Sequence, residues 1–206
     1  MKLVILAGGY GTRISEETDA IPKPMVLIGD KPILWHIIKY YSVFNFSEFI
    51  ICGGYKINFI KKFFYNLKSN SNMDSSWNIK VLNTGLKSNT GERIRRIKKH
   101  IKDTFCITYG DGLSNVNLHK LIKFHKKNKP IVTLTAVKPI PHFGKIYLKG
   151  NKVYKFFEKK LHKENWINGG FFVCEKSVFN FLKKKNSIFE SHTLELLAKK
   201  KKINSL

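Results

Sequence analysis

The chain has 206 residues, 43% of them hydrophobic and 13% aromatic, enough to bury a core without disulfides and too apolar for a disordered chain. Its 38 basic residues face 14 acidic ones, for a net charge of +24, yet only Arg13, Arg93, Arg95 and Arg96 are arginine. Scattered lysine suits a solvated surface better than base reading or bidentate phosphate clamping, so neither nucleic acid nor a membrane is an expected partner. No apolar run approaches the ~20 residues that cross a bilayer. The opening run Leu3–Ala7 is too short for a signal-peptide core, so a cytoplasmic protein is expected. Cys52, Cys106 and Cys174 lie far apart with no CxxC pair, the pattern of small, reduced, buried residues.

In chain order, Lys2–Ala7 is a continuous apolar run ending in Gly8-Gly9, as a buried parallel strand would be. Asp30-Lys31-Pro32 reads as a helix start with Asp30 as N-cap, placing Leu34, Ile37, Ile38 and Tyr41 on one face. Phe49–Cys52 is a second strand, 57–67 a helix, and 70–76 a polar loop. Ile79–Leu82 is a third strand, followed by Thr84-Gly85 and a helix from about Thr90 to Ile101. Thr104–Tyr109 is a fourth strand, closed by Gly110-Asp111-Gly112, and 117–127 another helix. Past Pro130 strands dominate: 131–137, 145–148, 152–157 and 171–174, with helices at 177–184 and near the C-terminus. The expectation is one α/β domain: a doubly wound nucleotide-binding part over 1–130, then a mixed α+β extension of the same sheet over 131–206. The Lys199–Lys202 run and the last residues read as a solvated tail.

The strongest chemical signal is Leu6-Ala-Gly-Gly-Tyr-Gly-Thr-Arg13, directly after the first strand. Three glycines in four positions let backbone N–H groups approach a phosphate chain, and Arg13 adds a permanent charge at the rim. No Gly-Lys-Ser/Thr follows, so the loop is not a Walker A motif, and Ile14 stands where a dinucleotide fingerprint needs glycine. Pro22-Lys23-Pro24 stiffens the backbone around one lysine. Asp111, between two glycines at a strand's carboxyl end, is a natural ligand for a hard cation. Asn168 offers amide hydrogen bonds to sugar hydroxyls, and Lys159 a point charge for a phosphate. Each feature alone also fits an ordinary turn or a surface lysine. The seven histidines show no metal spacing and no serine sits in a nucleophile elbow, which disfavours zinc and hydrolytic-triad chemistry.

Taken together, Leu6–Thr18, Lys23-Pro-Met25, Lys31–His36, Phe49–Lys56, Thr108–Gly112 and Trp166–Val173 resemble the sugar-phosphate nucleotidyltransferases, and within them the glucose-1-phosphate cytidylyltransferase family. The resemblance runs to about residue 198. It implies a Rossmann-like nucleotidyltransferase fold: a mixed, mostly parallel sheet flanked by helices, with a smaller sugar-binding extension. It implies synthesis of CDP-glucose and pyrophosphate from CTP and glucose 1-phosphate, with Mg²⁺, for deoxysugars of surface polysaccharide such as O-antigen. Leu6, Gly8, Gly9, Gly11, Thr12, Arg13 and Gly85 would hold the nucleotide, with Arg13 at the departing pyrophosphate and Lys23 at the α-phosphate. Asp111 would hold the metal, and Gly144, Glu158, Lys159, Asn168 and Gly169 the sugar phosphate. A homo-oligomer is compatible with it. The family usually reads Asp-Thr-Gly, Thr-Gly-Gly-Arg and Glu-Lys-Pro where this chain has Asn83-Thr-Gly, Thr90-Gly-Glu-Arg93 and Glu158-Lys-Lys160. It also carries a second metal-binding aspartate in a later Met-Asp-Thr segment, whereas no aspartate follows Asp111 here. The expectation is therefore a chain truncated relative to the family, which binds CTP and turns over poorly. The competing readings are a catalytically impaired paralogue, a relative using another NTP or hexose 1-phosphate, and a basic nucleic-acid binder resting on charge alone.

Overall fold

The computed structural model describes residues 1–11, 21–71, 73–139, 144–158 and 166–206. Four strands run parallel: β1 (Lys2–Ala7), β4 (Glu48–Gly53), β5 (Asn78–Asn83) and β6 (Phe105–Tyr109). β10 (Ile167–Cys174) is antiparallel to both β6 and β7 (Val132–Val137), and β11 (Ile203–Ser205) pairs in parallel with β7. The resulting seven-stranded sheet has the order β11-β7-β10-β6-β1-β4-β5. Two short strands, β2 (Leu27–Ile28) and β3 (Lys31–Pro32), form a separate ladder. β1 lies at the point where the order reverses: the chain moves out to β4 and β5, then crosses back to β6 on the other side.

The apolar run of β1 follows from burial on both faces. Leu3, Ile5 and Ala7 face one layer with α1 (Ile33–Val43) and α2 (Ile57–Ser69). Val4 and Leu6 face the other, with Ile94 and Ile97 around α3 (Thr90–Arg96) and Phe179, Phe189 and Leu197 from the C-terminal part. Strand alternation thus serves two cores at once. Leu34, Ile37, Ile38 and Tyr41 are all buried, as their spacing requires. The three cysteines are free and buried, and burial pushes the thiols of Cys52 and Cys106 up to about 12.

Several boundaries differ from the sequence reading. Asp30 does not cap α1: Lys31 and Pro32 pair with Leu27–Ile28, so the helix begins one residue beyond the proline. The 90–101 segment splits into α3 and a 3₁₀ turn at Lys98–His100. α4 (Leu118–Asn128) begins one residue later than expected because Asn117 caps it, accepting from the Lys120 amide at 3.0 Å. The 177–184 helix is instead a 3₁₀ segment, Lys176–Phe181, and the last helix is a π turn, Phe189–Leu194, running into α5 (Glu195–Lys199). The tail after the lysine run is a strand of the main sheet, because its amides find partners on β7. Conversely, β8 (Lys145–Lys149) and β9 (Lys152–Phe157) leave that sheet and pair only with each other, with Ile146, Leu148, Val153 and Phe156 exposed. At the amino edge of the parallel strands, the buried His125 bridges Thr133 at 2.8 Å and Glu175 at 2.9 Å.

Glu92 anchors α3. Its carboxylate is 2% exposed and accepts from Arg95 at 2.7 and 2.8 Å, from Arg96 at 2.8 Å and from the Asn186 amide at 3.2 Å. The Arg95 hydrogen bond, opposed by burial and helped by Arg96, holds its pKa down to about 2. A carboxyl depressed in the folded state stabilises fully above its unfolded pKa, here 4.5, and loses that contribution as pH falls towards 2. Because both arginines are nearly half exposed, the contribution is screened to about 2 kcal/mol. Urea unfolding at pH 7 and pH 2.5 should show the wild type losing about 2 kcal/mol more than Glu92→Gln over that interval; equal losses would refute it.

Candidate active site

A cavity of about 790 Å³ opens at the carboxyl edge of the parallel strands. Loops after β1, β5 and β6 form its walls, where an open α/β sheet with a reversal of strand order places ligands. Leu6 lines it from β1, Gly8, Gly9 and Gly11 from the loop that follows, Lys23 from a short 3₁₀ turn, and Asp111 from just beyond β6. These six sequence-predicted residues therefore meet in one place. Lys23 Nζ lies 2.5 Å from Asp111 Oδ2, joining segments 88 residues apart, and both side chains keep about a third of their surface exposed. A cation and an anion that remain accessible can each turn to an incoming phosphate or metal.

Other predicted residues are placed differently. Gly85 adjoins the lining segment 86–90 and gives its carbonyl to Arg93 at 2.8 Å. Asn83, where the family carries aspartate, accepts the Gly85 amide at 2.9 Å and so closes the turn itself. Asn168 reaches the cavity indirectly, its amide nitrogen 3.3 Å from the Tyr109 hydroxyl, and Gly169 packs against Thr135. Gly144 and Glu158 come together on the β8–β9 hairpin, away from the cavity lining: a Cβ on Gly144 would stand 2.9 Å from Glu158 Oε2. Thr12, Arg13 and Lys159 lie outside the described residues.

The residue that sequence reasoning missed is Arg93. It is 4% exposed and its guanidinium sits behind the glycine loop. Nη2 donates to Gly8 O at 2.7 Å; Nη1 donates to Thr84 Oγ1 and Gly85 O at 2.8 Å and to Gly53 O at 3.2 Å. The bonds go to backbone carbonyls and one hydroxyl, and among the described residues no carboxylate pairs with it. Burial pulls its pKa below the ordinary arginine value, but a guanidinium keeps its proton at neutral pH. Gly8 has to be glycine for this reason: an added Cβ would lie 2.2 Å from Arg93 Nη1. The available signal was the arginine that closes Thr90-Gly-Glu-Arg93, eight residues after Gly85 on a short helix, which spacing alone does not separate from a solvated one.

Tyr109 and Glu190 were missed as well. The Tyr109 hydroxyl donates to Glu190 Oε1 at 2.5 Å, and Thr90 Oγ1 donates to Glu190 Oε2 at 2.6 Å. Burial first, and the Glu190 contact second, raise the phenol's pKa, so it stays protonated.

Among the described residues no three His, Cys, Asp or Glu side chains gather, so there is no all-protein cage. Mg²⁺ is commonly held by one or two carboxylates plus substrate phosphates and water, and Asp111 beside the glycine loop fits that shared coordination.

The Nucleotidyl transferase family model matches residues 2–204. The chain belongs to this family. It is 44% identical to a probable glucose-1-phosphate cytidylyltransferase of Bacillus subtilis (strain 168), over 97% of this chain and 85% of that protein. It is 41% identical to the glucose-1-phosphate cytidylyltransferase of Salmonella typhimurium, over 96% and 84%. The fold is shared with a putative glucose-1-phosphate thymidylyltransferase from Bacillus anthracis: TM-score 0.74 at 18% identity, covering all of this chain and 86% of that one. The nucleotidyltransferase fold expected from the sequence is the fold observed. Among the described residues no helix is long and apolar enough to cross a membrane.

Arg93→Lys should separate the clamp from its charge. A lysine cannot serve several diverging carbonyls at once, so unfolding stability should fall by about 2–3 kcal/mol, with nucleotide affinity weakened as the glycine loop loosens. Denaturant titration and calorimetry check this; wild-type stability would mean the carbonyls are satisfied without the guanidinium.

Proposed function

We propose that this chain transfers the cytidylyl group of CTP to glucose 1-phosphate, giving CDP-glucose and pyrophosphate, in the cytoplasm and with Mg²⁺. The observation that carries the reading is the meeting of Lys23 and Asp111 over the glycine loop, in a chain more than 40% identical to glucose-1-phosphate cytidylyltransferases.

A sugar phosphate is already ionised at pH 7, so in-line attack on the α-phosphorus needs no general base. It needs alignment and charge neutralisation. The amides of Gly8, Gly9 and Gly11 line the nucleotide's triphosphate, with Leu6, Thr12 and Gly85 along the nucleoside. Lys23 leaves Asp111 for the α-phosphate and neutralises charge as the phosphorus becomes five-coordinate. Arg13 receives the departing pyrophosphate. Mg²⁺ bound by Asp111 and phosphate oxygens would add a second source of positive charge. Gly144, Glu158, Lys159, Asn168 and Gly169 would hold the hexose phosphate, with Asn168 and Gly169 on β10 and Gly144 and Glu158 on the β8–β9 hairpin. Glu92, at the family's second glycine of Thr-Gly-Gly-Arg, engages Arg95 and Arg96 and leaves Arg93 to the loop.

Incubation with each of the four common NTPs, Mg²⁺ and glucose 1-phosphate, with pyrophosphate as readout, should give release with CTP well above the others. Release with another NTP alone would move the assignment to another base. Lys23→Ala should lower kcat on the order of 10²-fold with the fold intact, because the ammonium is partly exposed and acts on developing charge. Unchanged kinetics would make Lys23 a loop lysine.

A further inference from the structure

Four side chains link the two sides of the cavity end to end: Thr90, Glu190, Tyr109 and Asn168. Glu190, partly buried on the π turn, offers two carboxylate oxygens and has two hydroxyl donors: Tyr109 at 2.5 Å and Thr90 at 2.6 Å. Thr90 in turn accepts the Phe189 amide at 2.8 Å, which fixes its hydrogen towards Glu190. With its own hydrogen committed to Glu190, the Tyr109 oxygen is left as an acceptor, and Asn168 Nδ2 donates to it at 3.3 Å. Asn168 Oδ1 accepts the Gly170 amide at 2.9 Å, so both ends of this side-chain amide are set.

The backbone is shaped for this contact. The β10–β7 register shifts between Asn168 and Phe172, and Gly170 has φ +82°. A Cβ there would come within 2.9 Å of the Tyr109 ring. The bulge turns the strand so that Asn168 meets Tyr109, which bulges beside sites commonly do.

We infer that Glu190 is a positioning residue for the sugar phosphate: it fixes the Tyr109 hydroxyl as an acceptor and thereby the orientation of the Asn168 amide. The inference rests on the functional reading above in assigning the Asn168 side to the hexose phosphate. Neither Glu190 nor Tyr109 needs to touch the reacting atoms. Without Glu190 the phenol hydrogen is free to turn towards Asn168, where two donors would face each other, and the amide swings away.

Four variants test it: Glu190→Ala, Glu190→Gln, Tyr109→Phe, and the Ala/Phe double variant. Loss of one positioning hydrogen bond should raise the KM for glucose 1-phosphate about tenfold in Glu190→Ala and Tyr109→Phe, with kcat and the KM for CTP within about threefold. Glu190→Gln should recover most of the loss, since its carbonyl can accept from Tyr109 while its amide faces Thr90. The double variant should be no worse than either single one, because both remove the same link. The Asn168 side-chain amide resonances should move in both single variants and return towards wild type in Glu190→Gln. Multiplying effects in the double variant, or an unmoved Asn168 amide in Glu190→Ala, would overturn the inference. If Glu190→Ala fails to unfold cooperatively, Tyr109→Phe, which removes one oxygen, decides by the same KM and resonance readouts. A wild type that releases no pyrophosphate with any NTP would remove the functional reading, while the resonance shifts still decide the coupling.

Discussion

The buried Arg93 guanidinium is the contact on which the active-site edge depends. Three parallel strands end together, and there Gly53 O accepts the Thr84 amide at 2.9 Å and Gly8 O the Tyr55 amide at 3.2 Å, with room for a further donor. Gly8 after β1, Gly53 at the end of β4 and Gly85 after β5 all turn a carbonyl to the same point. One planar donor with five N–H groups serves several of these carbonyls at once and ties the three loops together. Charge buried without a carboxylate is tolerated because it is spread over these dipoles. An acidic partner there would also have repelled the triphosphate that the loop is proposed to hold. Glu92 supports the arrangement from the preceding position on α3, pairing with Arg95 and Arg96 of the same helix and tying it to the 186–187 backbone.

The two sides of the cavity are built on different principles. The side from β1, β4 and β5 is parallel and doubly wound, with residues clustered at one strand edge. The side from β7 and β10 joins the sheet through one antiparallel strand, and it places its polar groups by a bulge rather than by a strand end. β6 lies between them; it ends in Tyr109, which meets Glu190 and Asn168, and Asp111 just beyond it meets Lys23. A ligand spanning the cavity must be registered to both sides, and contacts from Glu190 and Thr90 across β6 supply that registration.

The large positive charge is not concentrated as a clamp. Among the described residues the cations of the cavity lining are Lys23, Lys87 and the already committed Arg93, set against Asp111 and Glu190. Most other lysines lie exposed on helices and turns, which raises the general field felt by an approaching anionic substrate without specifying it.

Sequence alone determined the elements whose identity is local. β1, β4 and β6 are legible because a strand buried on both faces must be apolar throughout, and α1 because its apolar spacing matches one helical face. The glycine loop, Lys23 and Asp111 were legible because each depends on backbone properties of its own segment. The tertiary structure decided whatever depends on distant partners. Asp30 lost its capping role to a two-residue ladder, the 203–205 tail became a sheet strand, and the 145–157 hairpin left the sheet. Gly144 and Glu158 consequently meet on that hairpin rather than at the cavity wall. The roles of Arg93, Tyr109 and Glu190 are not written in their own segments, since the contacts Arg93–Gly8, Tyr109–Glu190 and Glu190–Thr90 span 85, 81 and 100 residues. Periodicity records which face of an element is apolar; which carbonyls and hydroxyls converge on one side chain is set by strand order, and strand order is fixed only when the sheet assembles.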